Sequence, residues 1–76
     1  MAFPEYMSEK DEKHFIFLCM RKYAFWCDPR ITSAGQRESD AVTRDLLAIM
    51  GDDISEKVFI EYVELYARRG RSLAER

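Results

Sequence analysis

One histidine, two cysteines and a knot of arginines are the residues of this chain with the most obvious chemical capacity. His14 as a general base needs a hydroxyl or thiol within hydrogen-bond reach. Cys19 follows it by five residues, which sets the two about 140° apart around a helix. One helix therefore does not bring them together, and His14 reads as a surface residue. Zinc needs four ligands at short, regular spacings, whereas His14, Cys19 and Cys27 are irregularly spaced. Gly35, Gly51 and Gly70 stand singly and form no phosphate-cradling loop. The many carboxylates sit where helix starts and solvated helix faces are expected. The expectation is a protein that is not an enzyme, with no cofactor, no metal ion and no small-molecule substrate.

Two stretches imitate known devices and fail on inspection. "GDDISEKVFIEYV" looks like the end of a calcium loop, with Ile54 as its eighth position. Counting back places Leu47, Ile49 and Gly51 where oxygen ligands belong, and Val58 where a bidentate glutamate belongs. "LLAIMGDDISEKVFIEYVELYARR" has the outline of a helix-turn-helix. Its second helix would bring Asp52, Asp53, Glu56, Glu61 and Glu64 to the phosphates against Lys57, a net charge of about −4, which DNA repels. Arg68, Arg69 and Arg71 remain as a possible contact for nucleic acid or for an acidic partner. Cations at a helix end also serve the helix dipole, so nucleic-acid binding is the lesser expectation.

The bulk properties narrow the field further. Seventy-six residues make one domain of marginal stability. Fourteen acids against twelve bases leave a net charge of −2, which gives no general attraction to phosphate. Cys19 and Cys27 are eight apart, about 12 Å along a helix, beyond the roughly 7 Å that a disulfide spans. Reduced thiols suit a cytoplasmic protein. The opening "MAFPEYMSEKDEK" is acidic, is interrupted by Pro4, and does not read as a signal peptide. The run Phe15 to Met20 falls far short of the ~20 apolar residues that a membrane span requires.

These residues must be carried by helices, and the pattern predicts three. Ser8 with Asp11 makes a variant capping box, followed by acids in the first turn, and Asp28-Pro29 ends the segment. The second helix starts either near Thr32 and Ser33 or later near Ser39, with Gly35 weighing against the early start. Val42, Leu46, Ile49 and Met50 mark its buried face, and Gly51 stops it. The third starts from Asp53 or Ser55 and runs to Arg69, with Gly70 as its stop. The fold class is all-α, a small three-helix bundle with a short extended N-terminal segment. The bounds are about 8–27, 33 or 39 to 50, and 53–69, with an arm at 1–7 and a tail at 70–76, of which "RSLAER" could instead be a frayed continuation of the third helix.

The apolar surface exceeds what such a bundle needs. On the second helix the stripe is about 100° wide, with Leu47 outside it; on the first and third the apolar arcs reach about 200° and 220°. A second stripe on the first helix, Leu18 and Phe25, is edged by Arg21 and Lys22. Either it faces the third helix or it is a contact surface of the composition that binding hot spots favour. Phe3, Pro4 and Tyr6 could fold back over part of the surplus; otherwise another molecule covers it. The functional expectation is a stand-alone adaptor, regulator or inhibitor. It would dock Phe17, Leu18, Arg21, Lys22, Phe25 and Tyr62 onto a larger protein and act by occlusion, in the style of mobile-element or phage-type modulators of host machinery. A homodimer or larger homo-oligomer is the alternative, and a nucleic-acid-binding protein using the arginine cluster the third.

Overall fold

The computed structural model describes residues 7–74. The expected arm, including Phe3, Pro4 and Tyr6, lies outside the described residues apart from Met7. Three helices follow one another: α1 (Glu9–Trp26), α2 (Ser33–Met50) and α3 (Glu56–Ala74). The all-α three-helix bundle is the fold.

Each helix starts on a side-chain cap. Ser8 Oγ accepts the N–H of Asp11 at 3.2 Å, Thr32 Oγ1 that of Gly35 at 3.0 Å, and Ser55 Oγ that of Val58 at 3.3 Å. Such bonds satisfy amides that have no partner inside the helix. α2 therefore takes the early start, since the Thr32 cap and its helical continuation outweigh the cost of Gly35. α1 ends where Asp28 turns the chain, its carboxylate accepting the N–H of Arg30 at 3.0 Å across Pro29. α2 ends at Gly51, whose φ of +95° suits glycine.

The end of α3 departs from the expectation. Gly70 is not a stop, and the helix continues through it to Ala74. Gly70 is buried against Ile16 and Met20 of α1. Its missing side chain lets two helices approach, and of the two readings of the following residues, tail or continuation, 71–74 continue the helix. Of the two expected starts, Asp53 and Ser55, it is Ser55 that caps the helix, and Glu56 is its first residue.

The centre of the core is Phe15 and Cys19 of α1, Leu46 of α2 and Val63 of α3, all fully buried. Ile16, Leu18, Val42, Met50, Phe59, Tyr66 and Ala67 surround them. Large apolar side chains buried this way contribute about 1.5–3 kcal/mol each. α1 is the central element. α3 runs antiparallel along it, as the pairs Trp26–Phe59, Phe15–Tyr66 and Glu12–Arg69 require. α2 meets the other side of α1, where Lys22 reaches Ser39 and Arg21 reaches Glu38. Thr43 and Leu47 of α2 then line the same hollow as Phe59 of α3.

This arrangement absorbs much of the surplus on α1. A helix with neighbours on two sides can bury a wide arc, and α1 places Ile16 and Met20 toward α3 and the Lys22 side toward α2. Phe17 (54 % exposed), Trp26, Ile60, Leu65 (58 %) and Leu73 remain in solvent. Among the described residues, no helix is long and apolar enough to cross a membrane.

Candidate functional site

Two features combine exposed aromatic surface with ordered charge. The first is the outer stripe of α1. Phe17, Arg21 and Phe25 are spaced i, i+4, i+8, so they stack along one line of the helix. The Arg21 guanidinium carbon lies 5.9 Å from the ring centre of Phe17 and 5.9 Å from that of Phe25. A cation held over two rings gains from both quadrupoles. Glu38 of α2 holds the same guanidinium, Nη2 to Oε2 at 3.4 Å. Phe25 is half-buried against the core, while Phe17 projects.

Leu18 and Lys22 do not belong to this surface. Both were expected to touch a partner, and both are buried, at 4 % and 7 % exposure. They lie on the side of α1 that α2 covers, so it is the second helix, not the third, that meets this stripe. Tyr62 belongs elsewhere as well. It stacks on Tyr66 with ring centres 6.1 Å apart, next to Val58, Glu61 and Leu65 on α3. The expected face of six residues thus resolves into the Phe17–Arg21–Phe25 line, two residues of the α1–α2 contact, and one residue of an α3 surface.

The arginine cluster divides too. Arg69 pairs with Glu12 at 2.8 Å and lies 5.9 Å from the Tyr66 ring centre, so it ties α3 to α1. Arg68 and Arg71 are exposed, and Arg71 occupies the last turn of α3.

The second feature is a cleft of about 380 Å³ between all three helices, lined by Lys22, Trp26, Thr43, Glu56, Phe59 and Ile60. A neighbouring hollow of about 230 Å³ shares Thr43, Glu56 and Phe59 and extends to Leu47 and Ile54. Trp26 and Phe59 meet edge to face, 6.3 Å between centres, a favourable aromatic geometry. Lys22 Nζ donates to Ser39 Oγ at 2.6 Å and more distantly to Ser39 O at 3.4 Å. Thr43 Oγ1 also donates to that carbonyl, at 3.0 Å. Burial lowers the Lys22 pKa from its ordinary value, and the charge of Asp40 partly restores it. Sequence reasoning assigned Lys22 to the surface. The available signal was Ser39, which lies three residues before Val42 on the buried line of α2 and so marks a polar contact inside the bundle.

The thiols have opposite environments. Cys19 is fully buried, and desolvation pushes its pKa up to about 12, which suppresses the thiolate and its reactivity. Cys27 is free and exposed just past the end of α1. His14 is exposed. Among the described residues, no group of three or more His, Cys, Asp or Glu side chains could hold a metal ion.

No protein-family profile, no curated protein and no solved structure matches this chain.

Proposed function

We propose that the protein is a small regulator that docks the Phe17–Arg21–Phe25 line of α1 onto a larger protein and acts by occupying that protein's surface. The observation that carries this reading is Phe17, 54 % exposed on an ordered helix with Arg21 braced between it and Phe25. Aromatic residues and arginine dominate the energetics of protein interfaces. An anchor already ordered in the free protein loses little side-chain freedom on binding, which favours affinity. Glu38 contributes to that order by holding Arg21 from the second helix. Cys19 and Cys27, both free, suit the reducing cytoplasm as the place of action. The mechanism is steric competition and needs no reacting group.

A photo-crosslinking amino acid at position 17, compared with the same residue at the exposed Ala48 of α2, tests the proposal in the source cell. The expected result is one larger protein captured from position 17 and not from position 48. Capture of a second copy of this chain would replace the proposal with self-association. Capture of nucleic acid through Arg68 and Arg71, with nothing bound at position 17, would reject it.

A further inference from the structure

The cleft between the three helices shares no residue with the Phe17–Arg21–Phe25 line, and its chemistry points to a different kind of ligand. Its walls are Trp26, Phe59 and Ile60, with the Thr43 hydroxyl beside them and the exposed Glu56 at the rim. Lys22 lines it from α1, its ammonium held at Ser39 of α2. The ammonium carries three N–H donors. Ser39 Oγ takes one at 2.6 Å, and the only other bond among the described residues, to Ser39 O, is long at 3.4 Å. Among the described residues no carboxylate lies within ion-pair distance of Lys22, although the residue is 7 % exposed. A buried charge that no carboxylate touches, with only the more distant charge of Asp40 to offset it, is costly, and an arriving anion lowers that cost. Nζ lies 5.9 Å from the centre of the Trp26 ring, so the positive group stands beside the aromatic wall. The volume, about 380 Å³, falls within the range of small-molecule pockets, which combine apolar walls with a few placed polar groups.

We propose that this cleft binds a small apolar monocarboxylate, with its carboxylate on Lys22 and its hydrocarbon body against Trp26, Phe59 and Ile60. The single buried cation selects one negative charge. Glu56 at the rim disfavours a second, so a dicarboxylate or a phosphate is a poor fit. The adjoining hollow toward Leu47 and Ile54 gives a chain room to extend.

Trp26 is the chain's only tryptophan, so its emission reports on the cleft directly. The experiment titrates the full chain with octanoate and with phenylacetate, each beside its primary amide. A saturable change in Trp26 emission is expected, with each acid at least about tenfold tighter than its amide. Lys22→Met should remove that preference while circular dichroism shows an unchanged helix content. Glu56→Gln, at an exposed position, should tighten the acids severalfold in an otherwise native protein. Equal binding of acid and amide overturns the proposal, and so does the lack of a saturable response. A preference that survives Lys22→Met in a folded protein also overturns it. If Lys22→Met does not fold, the acid-to-amide ratio and the Glu56→Gln shift decide. A cleft that takes only an acidic side chain from a protein partner, and neither small acid, counts against it.

Discussion

Gly70→Ala is the substitution that most directly probes how α1 and α3 fit. In an open helix the change stabilises by roughly 0.5–1 kcal/mol, because glycine loses more backbone freedom on folding than alanine. Here a Cβ would run into Met20 Sδ and stand 2.6 Å from Ile16 Cγ2 and 2.9 Å from Met20 Cγ. The Met20 thioether can swing aside, since methionine is unbranched and adaptable. Ile16 Cγ2 cannot, because it is fixed to the Cβ of a buried β-branched residue with one favoured rotamer. The helices must separate, and overpacking of this kind costs about 1–3 kcal/mol. With Ile16 immovable the upper part of that range applies, which leaves a net loss of about 1–2 kcal/mol. For a domain of this size the expected fall in Tm is roughly 5–15 °C. Gly35→Ala is the control. Its Cβ would sit 3.0 Å from Ile31 Cγ1 and 3.4 Å from Thr32 Oγ1, so it should stay within about 1 kcal/mol of the parent. Ile16→Ala, which removes Cγ2, should rescue part of the Gly70→Ala loss, seen as a favourable coupling of about 1 kcal/mol in a double-mutant cycle by urea unfolding. A Gly70→Ala protein that melts higher than the parent would refute the close approach and with it the fit of α3 on α1.

Ser39→Ala leaves the Lys22 ammonium buried without its short bond and should cost about 1.5–3 kcal/mol. The double variant Lys22→Met with Ser39→Ala should recover most of that in chemical denaturation, since it removes donor and acceptor together. Stability should fall as pH rises from 9 toward 12. Folded Cys19 keeps its proton to about 12 from an ordinary 9.0, so the unfolded chain binds fewer protons in that interval, a loss on the order of 4 kcal/mol by its upper end. Tyr66, also raised, adds to the loss. Lys22 opposes it: its lowered pKa means that the unfolded chain binds more protons up to the ordinary value. Lys22→Met should therefore make the alkaline decline steeper, as read from urea midpoints at stepped pH. A thiol reagent should modify Cys27 at once and Cys19 only in denaturant, a difference that mass spectrometry of the labelled chain resolves.

The local devices were legible because they are completed within one turn of chain. Ser8, Thr32 and Ser55 each bond an amide three residues on, and Gly51 supplies a positive φ where α2 stops. Gly70 shows the limit. A glycine after two arginines reads as a helix stop, and the same glycine reads as a close crossing only when Ile16 and Met20 stand opposite. Local sequence is identical in the two cases, and the partner helix decides. Lys22 failed for a related reason. Its residue type argued for solvent while its position, between Leu18 and Phe25 and near the line of Cys19 and Trp26, argued for burial. Ser39 on α2 resolves the conflict by offering an oxygen inside the bundle.

The surplus of apolar surface on α1 was countable in the sequence, but its destination was not. Angular width alone does not say how many neighbours a helix has. With α2 on the Lys22 side and α3 on the Ile16 side, α1 hides Leu18 and half of Phe25, and the surplus contracts to Phe17 and, at the helix end, Trp26. That contraction sharpens the functional reading. A broad greasy face could be covered by many things, including the chain's own ends. A single aromatic ring held out by Arg21, itself gripped by Glu38 from another helix, is an ordered feature whose removal disturbs nothing in the core. α3 differs in that Leu65 and Leu73 are exposed without a charged brace of this kind among the described contacts. If exposed apolar area alone governed docking, Leu65, at 58 %, would rival Phe17. If order governs it, Phe17→Ala should abolish partner capture while Leu65→Ala leaves it intact.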